Sequence, residues 1–142
     1  MDFMLDNLAI GTYEEAIRPS QEISALLNVA AEKDVDGTTL LYHKIPMVDM
    51  TPIPAEQMKE AVEWIGDQVS THTIMVFCNA GVGRSPSVVI GFFCIVLGYG
   101  FGEAVEFVAG RKPYISTLPD LIRTIEDAKV LSGGEKHKRE TW

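Results

Sequence analysis

Residues 73–93 read TIMVFCNAGVGRSPSVVIGFF. An apolar run stops at Cys78, five small or neutral residues follow, and Arg84 and Ser85 open a second apolar run. The first run is short and rich in strand formers, which predicts a buried strand over 73–78. The second predicts a buried helix over 85–97, with Pro86 suited to its first turn. A thiol and a guanidinium therefore stand at the two ends of a strand-to-helix turn. In such a turn the amides of residues 79–84 can converge on one point, and the positive end of the helix dipole adds to them. Gly81 and Gly83 permit backbone angles closed to other residues, and Ala80 leaves room for close approach.

Asn79, Ala80, Gly81, Val82, Gly83 and Arg84 thus make a candidate phosphate cradle, in which the planar fork of Arg84 holds two oxygens of a tetrahedral anion. Cys78 lies at its floor. The same donors favour the thiolate, which is the nucleophilic form. The expected intermediate is a phosphocysteine, with Ser85 placed to donate a hydrogen bond to the departing thiolate. A bare Cys-x5-Arg spacing also arises by chance from a core cysteine and a surface arginine. The glycines, the preceding apolar strand and the Ser-Pro helix start favour catalysis over that reading.

Outward from this turn, apolar runs predict further strands over 7–13, 23–30 and 39–48. Residues 14–21 suit a loop or short helix, and Asp36-Gly37 marks a turn. Met58, Ala61, Val62, Ile65 and Val69 recur at helical spacing, so 55–70 is expected as an amphipathic helix with an acidic outer face. Helices are also expected over 101–113, ended by Gly110 and Pro113, and over 118–131. Strands alternating with helices indicate an α/β fold: a central, mostly parallel, twisted sheet of four to five strands flanked by helices. Cys78 then sits at the C-terminal end of a strand, where ligands bind in such sheets. One domain over 1–131 and a flexible tail over 132–142 are expected.

The chain has 142 residues, 46% hydrophobic and 23% charged, which suits one soluble domain. A net charge of −8 argues against nucleic acid or an anionic membrane surface as main partner. Two cysteines, Cys78 and Cys94, and three scattered histidines make neither a disulfide framework nor a zinc set, so a reducing compartment, the cytoplasm, is expected. The start MDFMLDNLAIG has no basic opening or long apolar core, so no signal peptide is expected. The run SVVIGFFCIVLG is too short to span a bilayer.

The leaving oxygen needs a proton donor on a loop beside the cradle. Asp49, in PMVDMTPIP after the strand over 39–48, fits that place, although aspartates near prolines more often serve turns or caps. Asp34, Asp36 and Asp67 are competitors in plain turns or on a solvated helix face.

At this point CNAGVGRS, with NLAIGTYEEAI, ISALLNVAAE, IPMVDM and FGEAVEFVAGRKPYI, resembles the small dual-specificity group of the cysteine-dependent protein tyrosine phosphatases along nearly the whole chain. The resemblance implies a protein tyrosine phosphatase-like fold and a phosphomonoester hydrolase. It makes Cys78 the nucleophile, Arg84 the phosphate holder, Asp49 the acid and then the base, and Ser85 an aid to hydrolysis. No metal or other cofactor is required. The implied substrate is a phosphorylated protein, on phosphotyrosine or on phosphoserine and phosphothreonine, handled by a monomer.

CNAGVGR is also similar to the signature loop of glucan phosphatases of laforin type, where Gly83 is the informative position, so a phosphoglucan is an alternative substrate. The family usually carries histidine before the nucleophile and this chain has Phe77, which cannot donate a hydrogen bond. A looser loop is the expected consequence, and a weak phospho-binding pseudophosphatase is a further alternative.

Cys94 is expected in the core, as is one face of Trp64. His43 and His72 are expected as structural or exposed. Arg111 and Lys112 are expected at either the pocket mouth or a helix end.

Overall fold

The computed structural model describes residues 1–133. The elements are β1 (Asp2–Leu5), β2 (Leu8–Thr12), α1 (Tyr13–Ile17), β3 (Ala25–Asn28), β4 (Leu41–Lys44), α2 (Ala55–Gln68), β5 (Ile74–Cys78), α3 (Arg84–Ile95), α4 (Phe101–Arg111) and α5 (Leu121–Leu131). The five strands form one sheet in the order β1-β2-β5-β3-β4. Only β1 runs antiparallel to its neighbour, so the sheet is mostly parallel as the alternating pattern predicts.

The strand β1 is the element that sequence pattern did not separate. It has four residues, of which only Met4 is buried, and Asp6 and Asn7 turn it back onto β2. Too short to show an alternation, it forms because β2 offers it a free edge. The strands over 23–30 and 39–48 are also shorter than their apolar runs. In both, the flanking apolar residues pack as loops: Val29, Ala30, Ile45 and Met47 are buried outside any strand.

All five residues of β5 are buried, and successive side chains serve opposite faces. Ile74, Val76 and Cys78 join the large core beneath α2, α3, α4 and α5. Met75 and Phe77 join a second cluster with Ala16 of α1, Ile23 and Leu26. The connection from β2 to β3 therefore passes α1 on one face, and that from β4 to β5 passes α2 on the other. β5 lies between β2 and β3, in parallel with both. The crevice at its C-terminal end is a topological switch point, which is where the fold leaves room for a ligand.

Candidate active site

The sheet delivers Cys78 to this crevice. It is the last residue of β5, paired with Thr12 of β2, and is 2% exposed. The loop over 79–83 then turns into α3. Tyr13 N donates to Asn79 O (3.2 Å), Ser116 N to Val82 O (2.8 Å) and Ser87 N to Gly83 O (3.1 Å), so the loop is tied at both ends and from the side. Among the described residues no acceptor meets the amides of residues 79–83. Gly81 has φ +71°, and a Cβ there would lie 2.9 Å from Gly11 O, so conformation and space both demand glycine. A Cβ on Gly83 would stand 3.3 Å from each of Asp49 Oδ1, Leu118 Cδ2 and Ser116 O. Two other segments, the loop bearing Asp49 and the chain over 114–118, therefore close on the same glycine.

Ser85 Oγ lies 3.2 Å from Cys78 Sγ, and both residues are buried. Arg84 opens α3 and is 2% exposed. Its Nη1 donates to Glu32 Oε1 (2.6 Å) and to Met47 O (3.0 Å), and its Nη2 donates to Glu32 Oε2 (2.7 Å). A guanidinium has five N–H donors. Three are consumed here, leaving the second Nη2 proton and the Nε proton, which share one edge of the fork. Nε is buried with no hydrogen-bond partner among the described residues. Its nearest acidic neighbour, Asp49 Oδ1, is 3.8 Å away, too far for a hydrogen bond. The edge left over is the shape that takes two oxygens of one anion.

Glu32 is the functional residue that the sequence did not announce. Hydrogen bonding to Arg84 holds its carboxyl well below the usual range, at about 2, although half of its side chain is exposed. Reciprocally, Glu32 holds Arg84 protonated, with smaller help from charge on Cys78 and Asp49. The turn that presents Glu32 is built on buried Asn28. Asn28 Nδ2 donates to Lys33 O (2.8 Å) and Tyr42 Oη (2.9 Å), and its Oδ1 accepts from Ala30 N (2.8 Å). Lys44 adds a bond to Lys33 O (2.7 Å), and Ala31 N donates to Met47 O (3.0 Å). The sequence offered only an acid four residues past a buried strand, with nothing to show that this strand neighbours β5.

Cys78, Arg84, Ser85 and Asp49 are thus brought together. Other residues weighed from sequence lie elsewhere. Arg111 stacks on Phe107 (3.8 Å to the ring centroid) and Lys112 pairs with Asp2 (3.2 Å), so both tie down the end of α4 rather than line the cradle. Trp64 stacks on His43 (centroids 5.6 Å apart), and His43 bonds Glu60. His72 contacts Thr71. Cys94 is buried near the far end of α3, and burial pushes its thiol up. Phe77 is wholly buried in the α1-side cluster, on the sheet face opposite Cys78. The tail over 132–142 falls, from residue 134 on, outside the described residues.

A family model, "Dual specificity phosphatase, catalytic domain", matches residues 9–129. The chain belongs to the dual specificity phosphatase family. Mouse dual specificity protein phosphatase 15 is 24% identical over 133 residues, covering 89% of this chain and 57% of that protein. The chain therefore spans little more than half of that relative's length. Mouse laforin is 39% identical over 66 residues, 46% of this chain and 20% of that protein. A crystal structure of DUSP15 matches the fold with a TM-score of 0.80 at 20% identity, covering 96% of this chain and 92% of that one. Among the described residues, no helix of this phosphatase domain is long and apolar enough to cross a membrane.

Proposed function

We propose that this domain hydrolyses phosphate monoesters on phosphorylated proteins through a phosphocysteine. The Cys78 thiolate attacks phosphorus, and the bond from phosphorus to the leaving oxygen breaks as that oxygen takes a proton from Asp49. Water then attacks phosphorus and gives its proton to the Asp49 carboxylate. The S–P bond breaks, and the thiolate departs with a hydrogen bond from Ser85. The amides of residues 79–83 and the Nε/Nη2 edge of Arg84 hold the three equatorial oxygens throughout.

One observation carries this reading: a buried guanidinium with three of its five donors consumed by Glu32 and Met47, leaving free an Nε/Nη2 edge whose unpartnered Nε lies 3.8 Å from Asp49 Oδ1. The substrate is a phosphorylated protein, on phosphotyrosine and, within the family's range, on phosphoserine or phosphothreonine. Two unpaired thiols support a reducing compartment, the cytoplasm, and the acidic surface supports no role for nucleic acid or membrane.

Hydrolysis of para-nitrophenyl phosphate tests the reading. Wild type should exceed Cys78→Ser by at least about 10³-fold. Equal rates would end it and leave the phospho-binding alternative that Phe77 suggests. The similarity to laforin supports a phosphoglucan as second substrate, tested by phosphate release from phosphorylated amylopectin against a phosphopeptide. The packing around Gly83 weakens that alternative, because Asp49, Ser116 and Leu118 already account for the missing side chain.

A further inference from the structure

Among the described residues, three that are not glycine hold a positive φ: Met50 (61°), Tyr114 (71°) and Asp120 (56°). For a residue with a side chain this conformation is costly, and such residues persist where the surroundings impose them. Asp120 begins α5. The other two lie in the two segments that converge on Gly83. Met50 follows Asp49, whose Oδ1 accepts its amide at 2.9 Å. Tyr114 precedes the stretch pinned by Ser116 N to Val82 O (2.8 Å) and by Leu118 N to Ser87 Oγ (3.0 Å).

Both side chains are turned out to water. Met50 is 81% exposed and Tyr114 is 93% exposed. Val48, beside Asp49, and Val82, in the cradle loop itself, are exposed as well. A large apolar side chain held in solvent by a strained backbone gains nothing in the free protein. The cations of nearby segments are engaged elsewhere: Lys33 over Tyr13, Arg111 over Phe107, Lys112 with Asp2. The rim on this side therefore presents apolar surface to whatever carries the phosphate.

We propose that Met50 and Tyr114 form an apolar clamp on the ring of an aryl phosphate, so that phosphotyrosyl side chains are the substrates this site selects. The inference rests on the phosphatase reading above and adds the selectivity. An aryl phosphate places a flat apolar ring between phosphate and main chain, at the height of the rim. A phosphoseryl group has one methylene there and brings the polar peptide backbone against the clamp. A sugar phosphate brings hydroxyls that methionine and valine cannot pair. Offset stacking on Tyr114 and thioether contact from Met50 both favour an aromatic ring.

Met50→Asn with Tyr114→Asn tests the clamp, because asparagine tolerates the left-handed conformation and keeps both loops in shape while removing the apolar surface. The double variant should raise KM about tenfold for a phosphotyrosyl peptide, with kcat within about twofold. KM for the phosphoseryl form of that peptide should rise less than about threefold. No change on the phosphotyrosyl peptide, an equal rise on both peptides, or a fall in kcat on both would overturn the clamp.

Binding separates this from a failure of the phosphatase reading. The same peptides are titrated against Cys78→Ser, with and without the two asparagines. If wild type proves no faster than Cys78→Ser, catalysis has failed. The clamp then stands on a tenfold weaker Kd for the phosphotyrosyl peptide alone, and falls if Kd is unchanged or if neither peptide binds.

Discussion

The proposed chemistry turns on how many donors Arg84 has left. Glu32 and Met47 remove three, and the remaining pair is what the proposed reading assigns to two phosphate oxygens. Cys78, Arg84, Ser85 and Asp49 were legible in the sequence because three lie within eight consecutive residues and the fourth follows a strand into a proline-bearing loop. Glu32 was not legible. Its partner lies 52 positions away, and in AEKDVDGTT it is one of several acids in what reads as an ordinary turn. Only the parallel pairing of β3 beside β5 makes that turn a neighbour of the cradle.

The proximity of Asp49 Oδ1 to Gly83 makes a prediction at this same scale. Asp49→Ala should lower kcat by about 10²-fold on an alkyl phosphate, whose leaving group needs the proton, and by less than about tenfold on para-nitrophenyl phosphate. Steady-state rates on the two substrates measure the ratio, and an equal loss on both would assign the acid elsewhere.

Among the elements, helix identity was read correctly because apolar spacing is long and periodic in α2, α4 and α5. β1 was missed because four residues are too few to show a period, and its pairing comes from outside itself. Burial of nearly every residue of α3 made its extent plain while hiding which side faces which neighbour. Packing resolves this at Gly91, where an added Cβ would fall 2.4 Å from Met58 Sδ of α2. Gly66, within α2, has nothing within 4 Å of the same position. Gly91→Val should therefore overpack the interface between α2 and α3 and destabilise the domain by about 1–3 kcal/mol. Gly66→Ala should stabilise it by about 0.5–1 kcal/mol through helix propensity. Thermal denaturation of the two variants should show Tm moving in opposite directions.

For the whole molecule, the pairing of Glu32 with Arg84 links the site to acid stability. A carboxyl held near 2 when folded, against an ordinary 4.5, contributes stability that is present above the ordinary value and lost as pH falls toward 2. Glu32→Gln removes that contribution. Wild type should be the more stable in urea at pH 7, and the difference should close between about pH 4.5 and 2, modestly because half of the Glu32 side chain meets water. A gap in urea midpoint that persists unchanged at pH 2 would assign the variant's loss to packing instead. That same carboxylate and the guanidinium share a knot with the carbonyl of Met47, which also receives Ala31 N and lies two residues before the proposed acid. Lifting the loop from Met47 onward would tug on the cation proposed to grip the anion. In the proposed mechanism, Asp49 would then deliver its proton from a strip of backbone whose near end is fastened at Met47.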